Sequence, residues 1–333
     1  MPENISFSLW CDFIEREFLE NQFKALVQSK VIQGATSNPV IFQQAFANVS
    51  YQEQKELLKG KEAKEIYENL AIEDIKRAAE ILLPTYENNP NDGYISFEID
   101  PNLCDNAKGS IEEGIRLFKG IDYPNVMIKI PATKAGIVAM EELILQGIPV
   151  NATLVFSKGQ AIDCMEAFKR AYDVLRDHNK IELKEYPRAV LSIFVSRFDR
   201  KCDEIFKDKE MPTGTLGIRN AQYLYKIVKD YSLPVRPLFA STGVKSGELE
   251  PSYYIKELYH PYAINTAPLV ALESFIGLKV VDDAYLPSDE ELEDYFKIVK
   301  EVGINVEEVA KELLQQGLQD FKEAFSKILE SLN

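Results

Sequence analysis

Histidine is scarce in this sequence: His178 and His260 are the only two among 333 residues. His178 stands in the polar run RDHNK and His260 in ELYHPY, and neither has a motif around it. We therefore expect surface or turn positions for both. Chemistry built on a histidine base or on a histidine metal cluster has few places in this chain.

Cysteine is sparse as well, and its spacing is informative. The four cysteines show no paired spacing, which argues against a zinc site and predicts free thiols in a reducing compartment. They are Cys11, Cys104, Cys164 and Cys202. We therefore expect no metal site and a cytoplasmic location.

Positive charge is in short supply. The chain has 38 Lys and Arg against 53 Asp and Glu, a formal net charge of −15. This sign is wrong for coating a nucleic-acid backbone or an anionic membrane, so we expect neither as a partner. No run approaches about 18 uncharged apolar residues, and MPENISFSLWCDFIEREF lacks the pattern of a secretory signal. A local pair of cations can still bind a small phosphorylated substrate.

The chain does have the composition of a globular protein, with 46% hydrophobic residues, 16 glycines and 16 prolines. Eight short apolar runs alternate with longer segments of helical spacing, which predicts strand-helix units in a parallel sheet. The runs are ISFSLW (5–10), VIQGATS (31–37), YISFEID (94–100), VMIKIP (126–131), VNATLVF (150–156), RAVLSIFV (188–195), RPLFAST (236–242) and YAINTA (262–267). Eight such units over this length predict a (β/α)8 barrel of the TIM type.

The segments between and after these runs should be helical. In 134–147 the apolar residues recur near helical spacing, and Gly147 is placed to end the helix. The second crossover, about residues 40–93, is too long for one helix and should hold several. The tail, about residues 288–333, is expected to form charged helices packed on the outside. No linker-like break divides the chain, so we predict one domain over residues 1–333.

The alternation of side chains along each strand predicts which residues face the barrel interior. One face of a barrel strand meets the helices, and the other fills the interior or lines the active site at the carboxyl end. Placing the apolar residues against the helices puts Val150, Ala152, Leu154 and Phe156 outward in one run. The same rule places Trp10, Met127 and Phe194 inward, whereas RPLFAST fits either frame. The polar residues turned inward are Asp12, Glu98, Lys129, Asn151, Thr153 and Ser192.

Polar groups in a barrel interior are unfavourable unless they are paired or used. For any single member of this set, a satisfied polar network is an alternative, as is a buried ion pair of Lys129 with Glu98 or Asp12. Six such residues from five strands, at the carboxyl ends, favour a catalytic site.

Lys129 lies in an apolar run and has no metal or histidine partner, which suggests nucleophilic catalysis through a Schiff base with a carbonyl substrate. Only the neutral amine attacks, so its surroundings must lower the pKa of Lys129. Breaking a carbon–carbon bond beta to the iminium needs a base, and Asp12 and Glu98 can divide the proton transfers. Groups suited to holding sugar hydroxyls come from Asn38, Asn151 and Ser192.

Two of these segments resemble the transaldolase family. GATSNPVIF (34–42) resembles its T-[ST]-N-P signature, and VMIKIPATKAGIVAMEEL (126–143) resembles its second signature, centred on the Schiff-base lysine. Shorter pieces agree in family order: SLWCD (8–12), EIDP (98–101), NATLVFS (151–157), SIFVSRFD (192–199), ASTG (240–243) and INTAP (264–268). The resemblance covers about residues 5–275.

The resemblance implies a cofactor-free (β/α)8 transferase of the pentose phosphate pathway. Transaldolases move a dihydroxyacetone unit from fructose 6-phosphate or sedoheptulose 7-phosphate to erythrose 4-phosphate or glyceraldehyde 3-phosphate. Sugar phosphates are therefore the expected partners.

The resemblance also implies a role for each matching residue. Lys129 would form the Schiff base, and Asp12 would take the proton from the C4 hydroxyl of the donor. Glu98 with Thr153 would position a water for proton transfers in carbinolamine formation and dehydration. The dihydroxyacetone hydroxyls would be held by Asn38, Asn151 and Ser192, and the phosphate by Arg197 with help from Ser241.

One position departs from part of the family. In some branches an arginine closely follows the serine of the seventh strand, whereas here the run is ASTGVKSG and the nearest cation is Lys245. A lysine lacks the bidentate fork of arginine. We expect Lys245 to be the second phosphate ligand, and a solvated loop lysine is the alternative.

Phe194 separates two related activities. Fructose 6-phosphate aldolases of the same superfamily are much shorter and carry a tyrosine at the matching place, where its hydroxyl helps the enamine exchange with water. An apolar ring at Phe194 fits a transferase that keeps water from the intermediate.

Two other functions stay open at this point. One is an aldolase or isomerase acting on another sugar phosphate, because loops set acceptor choice. The other is a barrel kept as a binding or scaffold protein, which the presence of Asp12, Glu98 and Lys129 together disfavours. A monomer and a homodimer are equally open.

Overall fold

The computed structural model describes residues 5–179, 186–245, 247–278 and 282–333. Eight parallel strands follow one another around a closed barrel in chain order, and the eighth pairs with the first. They are β1 (Ser8–Cys11), β2 (Gly34–Thr36), β3 (Ile95–Glu98), β4 (Val126–Pro131), β5 (Val150–Val155), β6 (Ala189–Phe194), β7 (Val235–Ala240) and β8 (Ile264–Ala267). Each predicted run overlaps one strand, although β1 extends to Cys11 and β7 begins at Val235, and the (β/α)8 barrel is confirmed.

Helices fill the connections between the strands. They are α1 (Arg16–Phe18), α2 (Lys24–Gln28), α3 (Pro39–Ala45), α4 (Gln52–Leu57), α5 (Ala63–Asn88), α6 (Ala107–Ile121), α7 (Lys134–Leu145), α8 (Lys158–Asn179), α9 (Ser196–Asp208), α10 (Leu216–Asp230), α11 (Tyr253–Glu257), α12 (Leu269–Ile276), α13 (Asp289–Glu301) and α14 (Val306–Leu332). A π-helical turn (Leu19–Phe23) joins α1 to α2, and 3-10 turns occur at Val49–Tyr51 and Pro101–Leu103. The long second crossover holds three of the helices, α3 to α5. In the described ranges, no helix is both long and apolar enough to cross a membrane.

Helix α7 shows how local sequence sets the bounds of an element. The hydroxyl of Thr133 accepts a hydrogen bond from Gly136 N at 3.0 Å and caps the amino end. At the other end Gly147 adopts φ +79°, and Ile148 N donates to Leu143 O. This left-handed glycine ends the helix as the sequence predicts.

The barrel interior is filled mainly by large apolar side chains. Trp10, Tyr94, Met127 and Leu238 are almost fully buried in one cluster, which confirms the inward prediction for Trp10 and Met127. Arg236, on the same strand as Leu238, closes the amino end. The guanidinium of Arg236 lies 3.0 Å from a carboxylate oxygen of Asp92 and 2.8 Å from Ser8 Oγ. The ambiguous seventh run therefore turns Arg236 and Leu238 inward.

Gly34 on β2 lies against the indole ring of Trp10. A Cβ at this position would lie 2.4 Å from Trp10 Cε2, and the ring is fully buried. We expect Gly34→Ala to lower the free energy of unfolding by about 1–3 kcal/mol, measured by urea denaturation. The control is Gly120→Ala in α6, where the added carbon would meet no described residue within 4 Å beyond its chain neighbours and the local helix backbone. A loss at Gly34 no larger than at Gly120 would contradict this packing.

The outward prediction for Leu154 and Phe156 is wrong. The pairing of β5 with β6 shifts register between Ala152 and Val155, and Leu154 adopts φ +56°. As a result Val155 joins the outer core, while Leu154 turns toward the rim. Phe156 packs against the ring of the inward residue Phe194, with centroids 5.2 Å apart.

The helical tail is present, but α14 does not lie on the outside. It crosses the carboxyl end of the barrel and packs against α3, α5, α9 and β5. Gly317 permits the close approach, because a Cβ there would lie 2.8 Å from Leu154 Cδ2. The apolar face of α14 is buried in this contact, including Phe321 and Phe325. The assignment of all 333 residues to one domain stays a prediction.

Candidate active site

A cavity of about 310 Å³ opens at the carboxyl ends of the strands, beneath α14. Eight of the eleven predicted site residues line it: Asp12, Asn38, Lys129, Ser192, Phe194, Arg197, Ser241 and Lys245. The other three, Glu98, Asn151 and Thr153, are buried on the strands that form its floor. The inward sorting of the polar residues therefore brings one set together from separate strands.

Lys129 lies on β4 and is 4% exposed. Its Nζ donates a hydrogen bond to the backbone oxygen of Ser37 at 3.0 Å and lies 3.5 Å from Glu98 Oε2. The ring centroid of Phe321 lies 5.9 Å from the same nitrogen. The amine is thus held between β2, β3 and α14 at the base of the cavity.

Glu98 is paired in register with Lys129 and is 4% exposed. Burial raises the pKa of Glu98 to about 7, although the charge of Lys129 opposes the shift. Among the described residues, neither carboxylate oxygen of Glu98 has a hydrogen-bond partner, and neither does Thr153 Oγ1. Glu98 thus forms an ion pair with Lys129 without a well-aligned hydrogen bond, which leaves its oxygens available to a substrate or a water.

Asp12 follows β1 at the rim of the cavity. Its Oδ1 accepts a hydrogen bond from Thr36 Oγ1 at 2.6 Å, and the Thr36 hydroxyl lies 2.7 Å from that of Thr266. Desolvation raises the pKa of Asp12, and the charge of Lys129 opposes that rise. Thr36 was not among the predicted site residues, although it lies two residues from Asn38 in an extended segment and therefore shares its face.

The amide and hydroxyl groups are arranged in a chain. Ser192 Oγ donates to Asn151 Oδ1 at 2.6 Å, and Asn151 Nδ2 donates to Ser96 Oγ at 2.9 Å. Asn38 caps α3, because its Oδ1 accepts a hydrogen bond from Ile41 N at 3.1 Å. Asn38 also lines the cavity.

One end of the cavity is rich in cations. Arg197, in the first turn of α9, donates to Asp320 Oδ2 at 2.9 Å, and its guanidinium carbon lies 5.6 Å from the Phe194 ring centroid. Ser241 lies beside it, with its Oγ 3.2 Å from Ser196 Oγ. Lys245 lines the cavity as well.

Three further residues lie at the site and were not predicted from the sequence: Arg200, Asp320 and Phe321. Arg200 follows Arg197 by three positions in a helix, a spacing that puts both on one face and was visible in the sequence. Asp320 and Phe321 carried no such signal, because an amphipathic helix does not reveal what it packs against.

The residues outside the cavity fall into place as follows. His260 lies in the loop between α11 and β8 and is not on the surface: it is 2% exposed, and its Nε2 lies 3.3 Å from Gln222 Nε2. Burial lowers the pKa of His260 to about 4. The side chain of His178 lies outside the described part of the chain. The four cysteines are free and buried, and no group of metal-ligating side chains occurs within the described ranges.

This arrangement places a buried amine 3.5 Å from a carboxylate whose pKa is raised to about 7 by burial. A second carboxylate, Asp12, lies across the same cavity, and cations lie at one end. The set is suited to covalent lysine chemistry on an anionic carbonyl substrate.

Comparison with known proteins agrees with this chemistry. A family model described as Transaldolase/Fructose-6-phosphate aldolase matches residues 9–332. A transaldolase of Helicobacter pylori (strain Shi470) is 45% identical over 327 residues, covering 98% of this chain and 99% of its own. A transaldolase of Campylobacter jejuni subsp. jejuni serotype O:23/36 (strain 81-176) is 46% identical over 333 residues, with the same coverage of 98% and 99%.

Proposed function

Since this chain belongs to the transaldolase/fructose-6-phosphate aldolase family, we propose that it transfers a dihydroxyacetone unit between sugar phosphates through a Schiff base on Lys129. Membership makes it a transaldolase-type transferase of carbohydrate metabolism, in the pentose phosphate pathway. The observation that carries the proposal is the Nζ of Lys129, which is buried at the base of the cavity 3.5 Å from Glu98.

The first steps attach the donor to Lys129. Glu98, with its pKa near 7, accepts the ammonium proton and leaves the neutral amine to attack the C2 carbonyl of fructose 6-phosphate or sedoheptulose 7-phosphate. The carbinolamine then loses water to give the iminium. Glu98, with Thr153 and a water held by their unpaired oxygens, moves the protons of this dehydration.

The next steps break and remake a carbon–carbon bond. Asp12 removes the proton from the C4 hydroxyl, the C3–C4 electron pair moves into the iminium, and the aldose phosphate leaves. The enamine that stays on Lys129 adds to erythrose 4-phosphate or glyceraldehyde 3-phosphate by the reverse sequence. Hydrolysis of the new iminium releases the product ketose and restores the amine, so the cycle needs no cofactor.

The remaining cavity residues orient the substrate. Dihydroxyacetone hydroxyls are held by the polar groups of Asn38, Asn151 and Ser192, and the phosphate is bound by Arg197 with Ser241 and Lys245.

We place the protein in the cytoplasm on the basis of its free thiols. Its net charge of −15 disfavours nucleic acid and anionic membranes as partners. Both a monomer and a homodimer fit this chemistry.

Fructose 6-phosphate aldolase is the second candidate, because the family includes that activity. Phe194 favours the transferase. Its ring is 6% exposed, packs against Phe156 and offers no hydroxyl to bring a proton to the enamine. Release of free dihydroxyacetone without an acceptor should therefore be slow.

Reductive trapping tests the proposal. We expect borohydride, added with fructose 6-phosphate, to leave one reduced dihydroxyacetone adduct that intact-mass spectrometry detects and peptide mapping places on Lys129. Adding erythrose 4-phosphate before borohydride should lower the amount of adduct and produce sedoheptulose 7-phosphate. Lys134→Met, at the exposed start of α7, is the control and should keep the adduct. A folded protein without an adduct on Lys129 would overturn the mechanism.

A further inference from the structure

The cation-rich end of the cavity has an unusual charge balance. A sugar phosphate brings about −1.5 to −2 charges at pH 7. Arg197 offers one positive charge to it, but Asp320 on α14 already forms an ion pair with that guanidinium at 2.9 Å. Together the two side chains are close to neutral. A phosphate dianion held there by Arg197 alone would meet the carboxylate of Asp320 without a free cation to balance it.

The ion pair with Asp320 leaves part of the Arg197 guanidinium available to a ligand. Its side chain is 16% exposed, and in the described part of the chain its Nε has no hydrogen-bond partner. Asp320 holds Nη1, so the guanidinium is fixed in orientation with other donors left for a ligand. Arg197 can therefore orient a phosphate by hydrogen bonds. Because Asp320 neutralises its positive charge, it adds little electrostatic attraction for that phosphate.

Arg200 supplies the missing charge. It lies one helical turn after Arg197 on α9 and lines the same cavity. Within the ranges that the structure describes, its guanidinium makes no hydrogen bond and no ion pair. Desolvation and repulsion by the charge of Arg197 lower the pKa of Arg200, and the nearby charge of Asp320 opposes this shift. An anion bound between them would remove that repulsion.

We propose that Arg200 is the second phosphate ligand of this site, acting with Arg197 from one face of α9. The proposal rests on the transaldolase function above and deepens it. Both side chains are exposed, but Arg200 brings the bidentate fork that Lys245 lacks, and it lies on helix α9 rather than on the loop after β7. Lys245 then contributes long-range charge and makes the smaller contribution to binding.

Steady-state kinetics with matched charge variants test this assignment. We expect Arg200→Ala to raise KM for fructose 6-phosphate, and the inhibition constant of inorganic phosphate, by about 10- to 100-fold with kcat largely kept. KM for unphosphorylated fructose should not change, because that donor has no phosphate. Arg200→Lys should recover part of the loss, and Lys245→Ala should have the smaller effect.

Lys207→Ala is the control, because it removes one positive charge from the same helix at an exposed position paired with Glu204 and Glu248. It should leave all constants unchanged. An Arg200→Ala effect equal for fructose and its phosphate, or smaller than that of Lys245→Ala, would overturn the assignment. Lack of turnover by the wild-type protein would instead overturn the proposed function, so the two failures are distinct.

Discussion

Replacing Lys129 by methionine should lower kcat by at least about 10⁴-fold and abolish the borohydride adduct, because no other amine can form the iminium at this position. Methionine keeps the length of the side chain and removes the attacking nitrogen. The change also leaves Glu98 without its cation in a buried site, so Glu98 will take up a proton instead of remaining charged. The fold should therefore survive.

Circular dichroism and the urea midpoint separate lost chemistry from lost structure. A Lys129→Met protein that is folded and still turns over fructose 6-phosphate within tenfold of wild type would show that another lysine carries the reaction. Lys134→Met, which changes a lysine of the same segment outside the cavity floor, should match the wild type in both rate and stability.

Glu98→Gln should lower kcat by about 10²- to 10⁴-fold and change the pH profile. Burial raises the pKa of Glu98 to about 7. In the wild type, lowering the pH through about 7 protonates Glu98, which can then no longer accept the proton of Lys129. Activity should accordingly fall on the acid side with a midpoint near 7. Glutamine cannot titrate, so this limb should be absent from kcat/KM of the variant.

The matched control is Glu113→Gln. Glu113 is also a buried glutamate beside a lysine, since its carboxylate lies 2.8 Å from Lys64 Nζ, but it belongs to α6 outside the cavity. Its pH profile should keep the acid limb. If Glu98→Gln retains a limb with the wild-type midpoint, Glu98 is not the group that titrates, and Asp12 becomes the candidate.

The sequence was a good guide wherever one periodicity controlled the structure. Strand positions and the inward polar set follow from alternation with a period of two, and Lys129 reaches the cavity by that rule alone. The rule failed where the backbone departs from regular strand geometry. At Leu154 a positive φ and a register shift change the face of the residues that follow. Leucine gives no warning of such a conformation, because only glycine or asparagine would normally signal it.

Long-range packing was the other limit. The pattern of α14 predicted an amphipathic helix, but the partner of its apolar face depends on the whole barrel. The positions of Phe321 and Asp320 at the site could therefore not be predicted from the sequence. His260 was misplaced for a related reason, since a polar ring in a turn is buried here by α10 and its surroundings. Arg200 differs from these, because its spacing from Arg197 was available and only its exposure to the cavity was unknown.

The position of α14 has a consequence for how the protein is made. All eight strands precede it in the chain, so a ribosome releases every residue of the barrel wall before it releases Phe321 and Asp320. A nascent chain can therefore close its sheet while the mouth above Lys129 is still uncovered and Arg197 still lacks its carboxylate. The order of the elements thus allows the barrel to fold before the catalytic centre is complete, and completing that centre requires the last part of translation.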